Sequence, residues 1–197
     1  MAWHRQLLRR ALTGVCPRRL FVTRGPRGRE VCLTFDDGPH PEHTPRVLDA
    51  LKGEDVCATF FVIGREAVRY PDLLRRIVDD GHELGHHSFE HGDPEATTAA
   101  QLLEEVRRTD AVFAGAIGRS ARLVRPPHGK VTGSKLWTLW RHGYVVALWN
   151  VDPKDFSCRS TDELRGRLIL GNELRGGHVG ARVDLHLHRL GELLSAH

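Results

Sequence analysis

The sequence predicts an α/β fold, in which a parallel sheet is covered by helices. Three observations carry that expectation. Short apolar runs rich in β-branched residues alternate with segments of helical periodicity along most of the chain. Gly and Pro punctuate the junctions between them. Polar clusters follow the predicted strands: Asp36-Asp37, His86-His87, Arg125, and Asp152 with Asp155 each stand just after one. In open sheets and closed barrels alike, function gathers at the carboxyl ends of parallel strands.

Taken in order, Trp3, Leu7, Leu8 and Leu12 have the spacing of a short amphipathic helix. Residues 23–30, rich in Gly, Pro and Arg, read as an exposed connection. Val31-Cys32-Leu33-Thr34-Phe35 is the first predicted strand, broken by Asp36-Asp37-Gly38-Pro39. Thr44-Pro45 predicts an N-cap followed by proline at the first helical position, with Val47, Leu48 and Leu51 as the buried face and Gly53 as the stop. Residues 56–63 predict a second strand, closed by Gly64. A helical stretch over about 65–80 restarts at Pro71 and ends at Gly81. Residues 82–85 predict a third strand.

The 98–117 segment, with Leu102, Leu103, Val106, Val112 and Phe113 in helical phase, predicts a long helix. A short strand over 121–124 leads into Arg125-Pro126-Pro127-His128-Gly129. Leu136, Trp137, Leu139 and Trp140 predict a helix that stops at Gly143. A strand over 144–149 ends in Asn150-Val151-Asp152-Pro153-Lys154-Asp155, and a last helix is predicted over 161–174.

At 197 residues the chain is long enough for one domain with a substantial core. An apolar fraction of 40% against 27% charged residues argues against a disordered chain. No apolar run approaches the ~20 residues of a spanning helix. The formal charge of +4 owes much to Arg5, Arg9, Arg10, Arg18, Arg19, Arg24, Arg27 and Arg29. Residues 1–30 therefore read as a basic N-terminal extension ahead of a domain over 31–197. Without an aromatic platform or nucleic-acid motif, that extension reads as a solvated face, and no nucleic-acid partner is expected. Cys16, Cys32, Cys57 and Cys158 form no C-x-x-C pair, so neither a disulfide framework nor a cysteine zinc site is expected. Cys32 and Cys57 fall in predicted strands, where a thiol behaves as a small buried apolar group. No apolar segment follows the basic N-terminus, so no export signal is visible and the default location is the cytoplasm.

Two adjacent carboxylates at a strand end repel each other unless a cation or shared proton lies nearby. His87 and His91, four residues apart, would share one face of a helical turn and bind one cation. With Asp37 they make a two-histidine, one-carboxylate set, as in zinc hydrolases and non-haem iron oxygenases. Asp36 separates the two, because a hydrolase needs a base beside the activated water. Arg125 could pair with Asp36 and orient it. Pro126-Pro127 would fix the following loop so that the backbone N–H of His128 or Gly129 faces a developing oxyanion.

Thr34-Phe35-Asp36-Asp37-Gly38-Pro39, His87-Ser88-Phe89-Glu90-His91, Arg125-Pro126-Pro127-His128-Gly129 and Asp152-Pro153-Lys154-Asp155-Phe156 resemble, in order and spacing, the first four motifs of the polysaccharide deacetylase family. This is the NodB-homology group, also called carbohydrate esterase family 4. The resemblance implies a distorted (β/α) barrel whose last strand–helix unit is irregular or incomplete. It implies a divalent metal, most often zinc, with cobalt or another divalent ion as alternatives. It implies hydrolysis of N-acetyl groups on amino-sugar polymers or oligomers. Carried over by residue, Asp37, His87 and His91 would hold the metal, and Asp36 would be the general base. Arg125 would orient Asp36, and the His128 N–H would contribute to the oxyanion hole. Asp155 would orient the histidine that protonates the leaving amine.

For that histidine His186 fits best by spacing, and His188 also follows a leucine. This sequence departs from the family at His86, His128 and Phe156, where the family often has Asn, Tyr and Trp. Arg182 and Asp184 interrupt what should be an apolar strand, and charges buried there are costly unless paired. A shifted reading frame from Gly180 onward would explain them, and resequencing the gene would expose it. Two further readings stay open: a carbohydrate-binding homologue that lacks the acid, and a hydrolase of another non-peptide amide.

Overall fold

Seven parallel strands form one curled sheet in the computed structural model of the chain, which describes residues 21–22, 31–173 and 181–186. They are β1 (Phe21–Val22), β2 (Val31–Gly38), β3 (Ala58–Val62), β4 (Glu83–His86), β5 (Leu123–Val124), β6 (Val145–Ala147) and β7 (Ala181–His186). Their order across the sheet is β1-β6-β5-β4-β3-β2-β7. The helices between them are α1 (His43–Gly53), α2 (Gly64–Arg69), α3 (Pro71–Asp79), α4 (Ala99–Ile117), α5 (Gly133–Arg141) and α6 (Thr161–Glu173). Parallel neighbours need such crossovers, so every strand points its carboxyl end the same way. Among the described residues no helix is long and apolar enough to cross a membrane.

Helix boundaries follow local chemistry. The Thr98 side chain accepts from the Gln101 N–H while Gln101 bonds back to the Thr98 backbone, a complete capping box. At the other end of α4, Gly118 takes a left-handed conformation at φ 69°. Pro71 occupies the first turn of α3, where its missing N–H costs nothing, and so separates α3 from α2.

The core lies where α1, α3 and α4 meet the sheet. Phe35 and Phe60 stack at 5.0 Å, and Leu48, Leu74, Ile77 and Phe113 pack into the same cluster, none more than 2% exposed. A second cluster joins Phe21, Val124 and Val146 of the sheet to Leu102, Val106, Leu136 and Leu139. Each such side chain contributes about 1.5–3 kcal/mol by leaving water. Phe21 explains why β1 forms although the sequence reading placed the first strand at 31: two residues suffice to pair with Val146 and Ala147.

Three local expectations are corrected. Thr44 does not cap α1; it sits inside the first turn, and its hydroxyl accepts the His40 N–H at 2.8 Å. Residues 56 and 57 precede β3, and Cys57 is exposed rather than buried. Cys32 lies in β2 but is only half-buried. The predicted helix over residues 3–12 lies outside the described residues.

Candidate metal centre and active-site cleft

At the carboxyl end of β2 the pairing with β3 shifts register between Phe35 and Gly38, and Asp37 adopts φ 70°. In a regular strand consecutive side chains face opposite sides. The irregularity lets both Asp36 and Asp37 line the same cleft.

Asp36 is almost fully buried, and its Oδ1 accepts from Arg125 Nη1 at 2.7 Å. Arg125 is the largest fully buried side chain described. Its Nη1 also donates to Thr34 Oγ1 at 2.9 Å, and its Nε to the Ala147 carbonyl at 3.1 Å. The guanidinium plane lies 4.0 Å from the Phe61 ring. Asp36 is thus fixed by a group that follows β5, separated from β2 in the sheet by β4 and β3, with Oδ2 turned toward His87 Nε2 at 3.7 Å.

His87 and His91 meet, but not on a helical turn. The 87–91 segment is an irregular loop bent by left-handed residues, Ser88 at φ 65° and His91 at φ 54°. The two rings lie 5.0 Å apart. His87 Nδ1 is 2.8 Å from the Arg125 carbonyl, which accepts only a proton-bearing nitrogen. That contact selects the tautomer whose Nε2 lone pair faces Asp37 Oδ1 at 3.4 Å. His91 Nε2 lies 3.3 Å from the same oxygen.

The ligand-capable atoms of Asp37, His87 and His91 fall within 4.8 Å of one another. Asp37 Oδ1 is buried and has no hydrogen-bond partner among the described residues. A buried acceptor left in that state is costly, and a cation between it and two imidazole nitrogens removes the cost. The donor set therefore fits a divalent ion. Burial pushes the Asp37 carboxyl up. The close approach and charge of His87, with His91 and His186 behind them, overcome this and hold it at about 2. Burial pushes His87 down, but Asp36 and Asp37 outweigh it and raise its pKa.

His186 ends β7 and pairs in register with Asp36. Its Nδ1 lies 2.8 Å from Asp155 Oδ1, and its backbone N–H donates to Asp155 Oδ2 at 2.7 Å. The backbone of β7 pairs with β2 over six consecutive residues, from Val31 opposite Ala181 to Asp36 opposite His186. In the strand order β7 stands last, beside β2. His188 lies outside the described residues.

His128 adopts φ 55° in a short turn after Pro126, and its ring meets that of His91 edge-on at 5.4 Å. The Gly129 N–H is committed to the Pro126 carbonyl at 2.9 Å, so of the two proposed oxyanion donors His128 is the one left for that role. Gly129 itself is required: at φ 60°, a Cβ would lie 2.6 Å from the Trp149 ring.

Asp36, Asp37, His87, His91, His128, Trp149, Asp152, Phe156 and His186 line one cleft of about 210 Å³, open to solvent. Of the sequence-predicted site residues, Arg125 and Asp155 stand fully buried behind it as supports. His86 turns away from the cleft, with Nε2 3.1 Å from Asp110 Oδ1 and its ring stacked on Phe113. Sequence reasoning missed Thr34 and the Ala147 carbonyl as partners of Arg125, and Trp149 as a cleft wall. A tryptophan at a predicted strand end was the available signal for the last.

The family model for polysaccharide deacetylases matches residues 23–147. A peptidoglycan-N-acetylglucosamine deacetylase of Bacillus cereus is 32% identical over 83% of this chain and 63% of its own length. This chain therefore spans less than two thirds of that relative. A chitooligosaccharide deacetylase of a Bradyrhizobium species is 38% identical over 80% of this chain and 70% of its own. The crystal structure of a peptidoglycan N-acetylglucosamine deacetylase superposes with a TM-score of 0.81 at 26% identity, covering 91% of this chain and 85% of that one. With the family model spanning more than half its residues and relatives matched in sequence and fold, the chain belongs to the polysaccharide deacetylase family, a metal-dependent family of carbohydrate esterases.

Proposed function

We propose that this chain is a divalent-metal hydrolase that removes N-acetyl groups from N-acetylglucosamine units of a polymer or oligosaccharide and releases acetate. Two imidazole nitrogens and one carboxylate oxygen, from His87, His91 and Asp37, suit zinc with positions left open. A divalent cation held there acidifies water and polarises a carbonyl oxygen. The remaining work falls to the chain's own groups. Asp36 takes the proton of the attacking water through Oδ2 while Oδ1 stays bonded to Arg125. The water oxygen bonds to the acetamide carbon, and the His128 N–H donates to the oxygen that gains charge. His186, steered by Asp155, delivers a proton to the nitrogen as the C–N bond breaks. Acetate and a free sugar amine leave. The exposed Phe156 ring and Trp149 offer apolar faces for a pyranose.

One observation carries this reading. The base candidate and the acid candidate each bond a fully buried partner, and both line the cleft that the three ligand candidates line. The relatives named for peptidoglycan and for chitooligosaccharides support N-acetylglucosamine as the sugar. Acetate release from acetylated chito-oligosaccharide and from peptidoglycan tests it. Release should require zinc, stop on chelation and return on reloading. Zinc-loaded protein that binds either glycan without releasing acetate would instead be a binding homologue.

A further inference from the structure

The loop that carries His91 is bent through two non-glycine left-handed residues, a conformation that persists only where surrounding contacts over-determine it. Its backbone groups can be followed one by one. The His87 N–H donates to Val62, and the Ser88 and Phe89 carbonyls accept from the Gly64 and Arg65 N–H groups. The Glu90 carbonyl accepts from Arg65 Nη1 at 2.7 Å, and the His91 N–H donates to Ser88 Oγ at 2.9 Å. The two amides between, Phe89 and Glu90, both donate to one oxygen from outside the loop: Glu105 Oε2, at 2.8 and 3.2 Å.

Glu105 lies on α4, held by a helix that a complete capping box starts. One turn further along, Arg108 covers the Phe89 ring at 3.7 Å and lies 3.5 Å from the Glu90 carboxylate. At the start of α2, Gly64 packs so closely that an added Cβ would fall 2.3 Å from Phe89 Cδ2. The loop is therefore pinned by α2 and α4, and among the described residues the hydrogen bonds from α4 to its backbone come from one carboxylate. A carboxylate accepting two N–H bonds is a stronger and more directional anchor than a neutral acceptor.

We infer that Glu105 is a positioning residue of the metal site: by accepting the Phe89 and Glu90 amides it fixes the turn that brings His91 to His87 and Asp37. Glu105 touches neither the ion nor the substrate. It acts on the ligand His91 through the backbone, as outer-shell partners of metal ligands do. The inference rests on the reading of Asp37, His87 and His91 as a metal site.

Zinc affinity is measured by chelator competition for wild type, Glu105→Gln and Glu105→Ala, with His91→Ala as the ligand control. Amide exchange of the zinc-free proteins is recorded alongside. Glu105→Ala should bind zinc about 10–100-fold more weakly than wild type, and Glu105→Gln, which keeps an acceptor oxygen, should recover most of that loss. Exchange at Phe89, Glu90 and His91 should quicken in Glu105→Ala while β3 and β4 keep their protection. Zinc affinity of Glu105→Ala within about twofold of wild type would overturn the inference. So would a loss that comes with general loss of protection, or one that glutamine leaves uncorrected. Wild type that takes up no zinc contradicts the metal reading itself and removes the inference with it.

Discussion

Asp155 grips His186 at two points, its Oδ2 accepting the backbone N–H at 2.7 Å and its Oδ1 facing Nδ1 at 2.8 Å. The strand end and the ring are thereby oriented by one fully buried carboxylate. The second contact places the Nδ1 proton on the Asp155 side and leaves Nε2 for proton exchange in the cleft. Asp155→Asn replaces an acceptor by a side chain that must choose between donating and accepting. It should lower kcat for deacetylation by about 10²–10⁴-fold while zinc content stays at the wild-type level. Steady-state kinetics with metal analysis checks this, and wild-type kcat in the variant would remove His186 from the acid role.

Packing against the metal loop gives a second prediction. In Gly64→Ala the added carbon would lie 2.3 Å from Phe89 Cδ2 and 2.5 Å from Thr109 Oγ1, so Phe89 or α4 must move. Overpacking of this kind costs about 1–3 kcal/mol. The variant should unfold at lower denaturant concentration and bind zinc more weakly. Gly53→Ala is the control, because nothing lies within 4 Å of its added carbon. Equal effects of the two substitutions would contradict the tight fit at Gly64.

The reach of the sequence has a physical limit at the loops. Alternating apolar runs and Gly/Pro breaks reveal β2, β3, β4 and the α4 helix because buried periodicity is a property of neighbouring residues. The polar residues at strand ends reveal the cleft for the same reason. The geometry of His87 and His91 was misread as a helical turn, since their spacing of four fits a helix and nothing in the sequence marks Ser88 and His91 as left-handed. Glu105 and Arg65 were invisible as loop anchors because they lie on other elements, and charged residues on a helix ordinarily face water. β1 was missed because two residues are too few to show alternation. His186 ends β7, opposite Asp36 in the pairing of β7 with β2.

A third prediction concerns pH. The Tyr144 hydroxyl donates to Asp110 Oδ2 at 2.6 Å, and Asp110 Oδ1 lies 3.1 Å from His86 Nε2. Burial and the Asp110 bond push the Tyr144 pKa well above its usual value. The folded state thus favours the protonated phenol. The stability it adds is complete below the unfolded-state value of about 10 and declines as pH rises above it. Burial pushes Asp110 up, but its bonds to His86 and Tyr144 prevail and lower its pKa. Its contribution is therefore present above about pH 4 and lost as pH falls through the lowered folded value. Tyr144→Phe should cost about 1–2 kcal/mol at neutral pH. Denaturant unfolding should show that deficit narrowing above about pH 10. A deficit that widens there would contradict the assignment.

The most direct measurement is bound zinc and acetate release recorded together on Asp36→Asn. Asp36 is separate from the three ligand candidates yet bonded to Arg125 at 2.7 Å, so the substitution should spare the ion and remove the base. We predict a wild-type complement of zinc with acetate release lowered by about 10²-fold or more. Wild-type acetate release from Asp36→Asn would contradict a metal centre served by Asp36 as its base.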